Sequence, residues 1–252
     1  MFLIIPTSYI ELCYNHLGNN NTIYREATMF DCHLHTKFST DSQMNINEAI
    51  KKASELDLGL TITEHLDLKY PVKGKFIFDP KEYFKEYAQY RNESLLLGLE
   101  MGMREDIVEE NRKIALEYDF DYIIGSIHLV NNMDLYRDEY YRDKNKHVAY
   151  SEYLHAVYQC IKHYDFVQSL GHLDYICRYA RYDNKDLYYK DFPDEIDKIL
   201  LVLIETDKAL EINTARFNNP QAISSLMTIY KRYRELGGKL VTVGSDSHRI
   251  DN

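Results

Sequence analysis

Met29-Phe30-Asp31-Cys32-His33-Leu34-His35 reads as a short strand that leaves two histidines at its carboxyl end. Side chains alternate along a strand, so His33 and His35 share one face while Cys32 and Leu34 take the other. Two imidazoles on one face at the end of a buried strand suit a metal ion. Working outward, further apolar or β-branched runs occupy 58–65, 95–101, 122–129, 166–173, 209–213 and 240–243. Between them, 46–56, 80–92, 105–118, 151–164, 194–206 and 220–236 carry helical periodicity. The boundary signals agree. Asn45 and Asn47 are capping candidates, Asp79-Pro80 and Asn219-Pro220 each place a cap before a proline, and Gly237-Gly238 ends the last helix. Strands alternating with helices predict parallel β/α units with right-handed crossovers, hence an α/β fold that is either a closed barrel or a doubly wound sheet.

In a parallel barrel the carboxyl ends of all strands open at one rim. Glu64-His65 closes the second expected strand, Glu100 the third, His128 the fourth, His172 the fifth and Asp246-Ser247-His248 the seventh, with Asp41 in the loop after the first. Imidazole and carboxylate groups from six strands therefore converge on one mouth. Without thiolates, such a set suits Zn, Mn or Fe. The candidates outnumber the three or four ligands of one catalytic zinc, so at least two divalent transition metals are implied. Clustered metals attack phosphoryl or carbonyl centres. Glu64 alternates away from His65 and is a candidate only for supporting the ligands from behind. His147, His155 and His163 fall on or beside a helical segment, and His16 precedes the first strand; these read as surface residues. Arg178 and Arg181 after the fifth strand, and Arg216 after the sixth, are candidates for gripping a substrate phosphate, because the guanidinium fork matches its oxygens.

The chain has 252 residues, 45% of them hydrophobic, enough for a full-sized domain with a real core. Its longest apolar run, 199–204, is far too short to cross a bilayer. Lys and Arg number 30 against 40 Asp and Glu, a net charge of -10, which argues against nucleic acid or an anionic membrane as the main partner. A small anionic substrate would need local cations. Cys13, Cys32, Cys160 and Cys177 form no C-x-x-C pair, and residues 1–6 lack the basic start of a signal peptide; a reducing, cytoplasmic setting is the expectation. The 23 tyrosines read as compositional bias spread over core and surface. Residues 1–28 are turn-like around Gly18-Asn19-Asn20-Asn21 and are read as an extension, or as a start site placed upstream of Met29. The chain stops at Asn252, four residues after His248, which reads as a truncated C-terminus of the 29–252 domain.

His33-Leu34-His35, Glu64-His65, Gly98-Leu99-Glu100, His128, Gly171-His172 and Gly244-Ser245-Asp246-Ser247-His248 together resemble the polymerase and histidinol phosphatase (PHP) family. Gly125-Ser126-Ile127-His128 and Gly171-His172-Leu173-Asp174-Tyr175, followed by Arg178 and Arg181, resemble its histidinol-phosphate phosphatase branch. The resemblance implies a distorted (β/α)7 barrel with the metal site at the carboxyl rim. It implies one metal at His33, His35, Glu100 and Asp246, and a second sharing Glu100 with His128 and His172. A third would take Asp41, His65 and His248, a position where some relatives carry His in place of Asp41. The activity implied is hydrolysis of a small phosphomonoester, L-histidinol phosphate in histidine biosynthesis, with Asp246 or His248 as candidate proton donor. The rivals are a relative acting on nucleotides or phosphotyrosine, and a non-catalytic metal-stabilised scaffold. No residue reads as a covalent nucleophile, and the oligomeric state is not legible.

Overall fold

The structure is a computed structural model and describes residues 29–251. Residues 1–28, with His16 and Cys13, and the final Asn252 lie outside the described residues. The strands are β1 (Met29–Leu34), β2 (Leu58–Leu66), β3 (Leu95–Gly102), β4 (Tyr122–Ser126), β5 (Leu129–Val130), β6 (Met133–Asp134), β7 (Ser169–Leu170), β8 (Ala209–Asn213) and β9 (Val241–Gly244). Seven of them form one parallel sheet in the order β1-β2-β3-β4-β7-β8-β9. The sheet curls until β1 meets the chain after β9. Asp246 N donates to His33 O at 2.7 Å and His35 N to Ser247 O at 2.9 Å. Of the two architectures left open by the alternation, the nearly closed barrel is the one adopted. Its closing bonds fall at the rim, between the residues read as metal ligands.

Helices cover the outside: α1 (Ile46–Glu55), α2 (Pro80–Tyr87), α3 (Val108–Glu117), α4 (Asp138–Tyr141), α5 (Lys146–His163), α6 (Ile176–Tyr179), α7 (Pro193–Glu205) and α8 (Pro220–Glu235). Asn45, Asp79 and Asn219 cap α1, α2 and α8 as expected, each accepting from the backbone N–H two residues on. Gly237, with φ of 101°, ends α8 in the left-handed conformation. Long β2 and β3 are buried almost throughout, as parallel strands covered on both faces must be.

Several boundaries differ from expectation: the helix expected over 80–92 ends at Tyr87, and the one expected from 105 begins at Val108, each with a short 3-10 turn beside it. The long helix begins at Lys146, five residues before 151, because Asn145 accepts from Val148 N and opens it. The fourth strand stops at Ser126, and the chain turns instead into the antiparallel β5–β6 hairpin. Only Ser169 and Leu170 of the fifth expected strand join the ladder. The tyrosines turn out to be largely structural. Tyr83, Tyr87, Tyr140, Tyr150, Tyr153 and Tyr164 are among the largest fully buried side chains. Their hydroxyls find partners, for example Tyr140 on Ala149 O at 2.7 Å and Tyr164 on Arg104 O at 2.8 Å, which satisfies the requirement for burying a phenol.

Gly98 lies two residues before Glu100 on β3, with the backbone of β4 close against it. A Cβ there would lie 2.8 Å from Tyr122 O and 2.9 Å from Thr61 Cγ2. Gly98→Ala should cost about 1–3 kcal/mol through overpacking, read as a lower urea midpoint at unchanged slope. A midpoint equal to wild type would show that the wall yields.

Candidate metal centre

Strand parity assembles the site. His33 and His35 on β1 and its extension, His65 on β2 and Glu100 on β3 all face the barrel axis at one height, and His65 pairs in register with Glu100. The Glu100 carboxylate is fully buried and touches five imidazoles. Its Oε1 lies 2.8 Å from His172 Nε2, 3.3 Å from His128 Nε2 and 3.4 Å from His33 Nε2. Its Oε2 lies 2.6 Å from His65 Nδ1 and 3.5 Å from His35 Nε2. Asp246 Oδ1 stands 3.3 Å from His35 Nε2 and 3.5 Å from His33 Nε2. Asp41 Oδ2 faces His248 Nε2 at 3.3 Å and His65 Nε2 at 3.7 Å. All nine residues read from the sequence as metal ligands thus lie in one cluster.

The donor atoms fit cations better than one another. His33 Nε2 and His35 Nε2 face each other at 3.1 Å. His65 Nδ1 and Glu100 Oε2, although 2.6 Å apart, are not aligned for a hydrogen bond, and both remain without a hydrogen-bond partner. His128 Nε2, His172 Nδ1 and Asp67 Oδ2 are likewise buried without one. Orphaned buried polar atoms are costly, and several converging here mark positions for ions. Groups able to hold one include His33, His35 and Glu100; Glu100, His128 and His172; and His35, His65 and His248.

The outward ring nitrogens are anchored. His33 Nδ1 donates to Glu211 Oε1 at 2.6 Å, His128 Nδ1 to Asp67 Oδ1 at 2.8 Å, His35 Nδ1 to Ser39 Oγ at 3.0 Å and His248 Nδ1 to Asp246 O at 2.9 Å. Each bond assigns a proton to Nδ1 and turns Nε2 inward, the orientation typical of ligating histidines. Ser39 in turn donates to Glu64 Oε2 at 2.5 Å. Glu64 therefore faces away from the cluster, as its parity required, and reaches His35 through one hydroxyl. Asp67 and Glu211 were not singled out from the sequence. Asp67 lies two residues beyond His65 on the same face, and Glu211 interrupts the apolar run of β8, so a signal existed for both. Gly244 makes room for the Glu211 contact, since a Cβ there would lie 2.4 Å from His33 Cβ and 2.5 Å from Glu211 Oε1. Asp246 itself takes φ of 55°, a left-handed conformation that a non-glycine residue adopts only when its surroundings impose it.

The arginines separate. Arg178 reaches the cluster, with Nη2 on Asp246 Oδ2 and, at 3.1 Å, on Asn213 Oδ1. Arg216 Nη1 donates to Asp174 Oδ2 at 2.6 Å and Nη2 to Asp186. Both line a recess of about 390 Å3 together with Lys185, Ala215, Asn218 and Asn219. Arg181 lies on the surface, paired with Asp138 at 2.6 Å, and is not brought to the cluster. His147, His155 and His163 are exposed.

Charge in the cluster is strongly coupled. Burial opposes ionisation of Glu100, but His65, His33 and His128 outweigh it and hold the carboxyl well below the usual range. Burial also opposes charge on His65, yet Glu100 and Asp41 raise it to about 10. Carboxylates overcome burial at His33 and His128 in the same way, whereas burial and the neighbouring His65 and His248 keep His35 low.

A nearly closed parallel barrel with a His/Asp/Glu cluster at its carboxyl rim defines a class of metal-binding protein, and residues 31–215 match the PHP domain. The chain belongs to the PHP domain family. It is 49% identical over 224 residues to the probable histidinol-phosphatase of Clostridium acetobutylicum, covering 89% of this chain and 88% of that one. It is 32% identical over 228 residues to the histidinol-phosphatase of Lactococcus lactis, covering 86% and 83%. The crystal structure of the histidinol phosphate phosphatase from Lactococcus lactis, complexed with zinc, L-histidinol and phosphate, superposes with a TM-score of 0.84 at 31% identity, covering 89% of this chain and 88% of that one.

Two outcomes are expected. Glu100→Gln keeps the shape but removes the charge shared by five imidazoles, so elemental analysis should show at least one ion fewer per chain, with kcat lower by on the order of 10². Full metal content in an active Gln variant would remove Glu100 from the centre. Because His33, His65 and His128 hold protons above their ordinary pKa, they are charged at neutral pH until a cation displaces the protons. Metal binding should therefore release about two to three protons and tighten as pH rises. Titration calorimetry in buffers of different ionisation heat reads this directly; heats that do not depend on the buffer would contradict it.

Proposed function

We propose that this chain is a metal-dependent phosphomonoesterase that hydrolyses L-histidinol phosphate to L-histidinol and phosphate. The observation that carries the reading is the junction at Arg178, whose guanidinium touches Asp246 in the metal cluster and also lines the cation-rich recess. A phosphate group bridging the two would find metals on one side and guanidinium donors on the other. The likeness to histidinol-phosphatases over nearly the full length of both chains supports this substrate over nucleotides or phosphotyrosine.

His33, His35, Glu100 and Asp246 would hold one ion, Glu100, His128 and His172 a second, and Asp41, His65 and His248 a third; zinc, manganese and iron all suit these donors. When bound, such ions supply Lewis-acid polarisation of the phosphoryl group and a nucleophile at neutral pH. The remaining work falls to the chain. Arg178 fixes the Asp246 carboxylate and leaves its own Nε buried without a partner, available to a phosphoryl oxygen. Asp174 and Asp186 hold the Arg216 fork in one orientation, which favours bidentate contact with an oxyanion. The rings of Tyr175, 4.8 Å from both His128 and His172, and of Phe76, 5.4 Å from His65, shield the cluster from water. Asp246 is held well below its ordinary pKa, burial being outweighed by Arg178 and His33, and gives up no proton near neutrality. His248 commits Nδ1–H to Asp246 O and Nε2 to the third ion, so neither of the two candidates has a proton free for the leaving alkoxide once the ions are bound.

Steady-state kinetics over histidinol phosphate, nucleoside monophosphates and phosphotyrosine should show the highest kcat/KM for histidinol phosphate and loss of all turnover after chelation. A nucleotide hydrolysed faster would reassign the substrate. Arg216→Ala removes a contact to the group that all these esters share, so each kcat/KM should fall alike by about one to two decades, the worth of a charge-assisted hydrogen bond. A loss confined to one ester would place Arg216 on the leaving group instead.

A further inference from the structure

The three cations lining the recess differ in what already holds their charge. Arg178 is paired with Asp246. Arg216 faces two carboxylates, Asp174 and Asp186, so that trio carries one net negative charge. Lys185 Nζ reaches only a backbone carbonyl, that of Arg178 at 3.5 Å, and has no carboxylate within ion-pair distance among the described residues. Counting the lining cations with their direct partners, the recess is neutral with Lys185 and negative without it. A phosphate monoester brings close to two negative charges near neutral pH. The two guanidinium groups offer it fixed donor geometry, but their charge is already compensated.

The backbone at Lys185 is pinned while its side chain is not. The buried Tyr150 hydroxyl donates to Lys185 O, and the next residue, Asp186, is bound by Arg216. The ammonium is thus carried on a flexible stem from an anchored base. That suits a point charge which must meet a mobile anion and follow it inward, a task different from that of a rigid fork. The partnerless Nε of Arg178, on a residue lining the same recess, gives the anion a buried donor to settle on.

We propose that Lys185 is the charge that draws the phosphate dianion into the recess and sets affinity for it, while Arg178 and Arg216 fix its orientation. The inference rests on the phosphomonoesterase reading above and adds the residue that selects for the doubly charged ester. Lys185 acts on capture, so its removal should appear in KM and in product affinity rather than in kcat.

The test compares Lys185→Gln, Lys185→Arg and Lys190→Gln, the last removing an exposed charge from the same connection. Two measurements are made on the metal-loaded protein at low and high salt: kinetics with histidinol phosphate, and inorganic phosphate binding by calorimetry. Lys185→Gln should raise both KM and the phosphate Kd by about tenfold, as loss of a charge-assisted contact does, with kcat within about threefold. It should also flatten the salt dependence of both. Lys185→Arg should restore most of the affinity and Lys190→Gln should match wild type. A change below twofold in phosphate Kd, an equal effect from Lys190→Gln, or a fall in kcat at constant KM would each overturn the proposal. If wild type fails to favour histidinol phosphate while Lys185→Gln still weakens phosphate binding, the substrate assignment falls and the role of Lys185 stands.

Discussion

A single carboxylate, Glu100, sits fully buried at the centre of five imidazoles. Removing an isolated carboxylate from water costs several kcal/mol, so this position is tenable only because positive charge surrounds it, as protons on His33, His65 and His128 or as bound cations. The rest of the rim follows from that requirement. Imidazoles must arrive from separate strands at one height, which a parallel barrel provides by ending every strand on the same side. They must also be held from behind, because a freely rotating ring would not keep its inward nitrogen aimed. Glu211, Asp67 and Ser39 meet that need at His33, His128 and His35.

Closure of the barrel and completion of the site are one event. The bonds joining β1 to the chain after β9 flank His33, His35 and Asp246, and the left-handed turn at Asp246 brings its carboxylate over the pair of rings. Stability and ligand geometry are therefore coupled at the rim. On the outside, the buried tyrosines Tyr83 of α2 and Tyr153 of α5 donate their hydroxyls to Ile62 O and His172 O and tie those helices to the barrel. The acidic balance of the chain is offset locally. Cations gather at one recess beside the cluster, and carboxylates hold the guanidinium groups there in fixed orientations.

Much of this was legible in advance, for a simple reason. The alternation of a strand is local, so His33 with His35, or Asp246 with His248, declare a shared face from spacing alone. Strand ends carrying His or Glu then declare a shared rim once the connections are known to be parallel. The same rule pointed to Asp67 from His65, but a lone carboxylate beyond a strand end is common enough to pass unnoticed. Glu64 also obeyed its parity, facing away from the cluster and touching His35 through Ser39.

What the sequence by itself determined was the set of strands, their capped helices, the parallel class of sheet and the group of residues crowding its carboxyl ends, all consequences of periodicity over a few neighbours. The tertiary structure decided the rest. Whether seven parallel strands close depends on bonds between residues more than two hundred positions apart, such as His33 with Asp246. Which arginine meets the cluster depends on how the loops after β7 and β8 lie against one another: Arg178 turns in, while Arg181, three residues on, pairs with Asp138 at the surface. The hairpin β5–β6, the pairing of His33 with Glu211 and the freedom of Lys185 have the same origin. Each depends on distances that exist only after the chain has folded, and no local pattern of side chains encodes them.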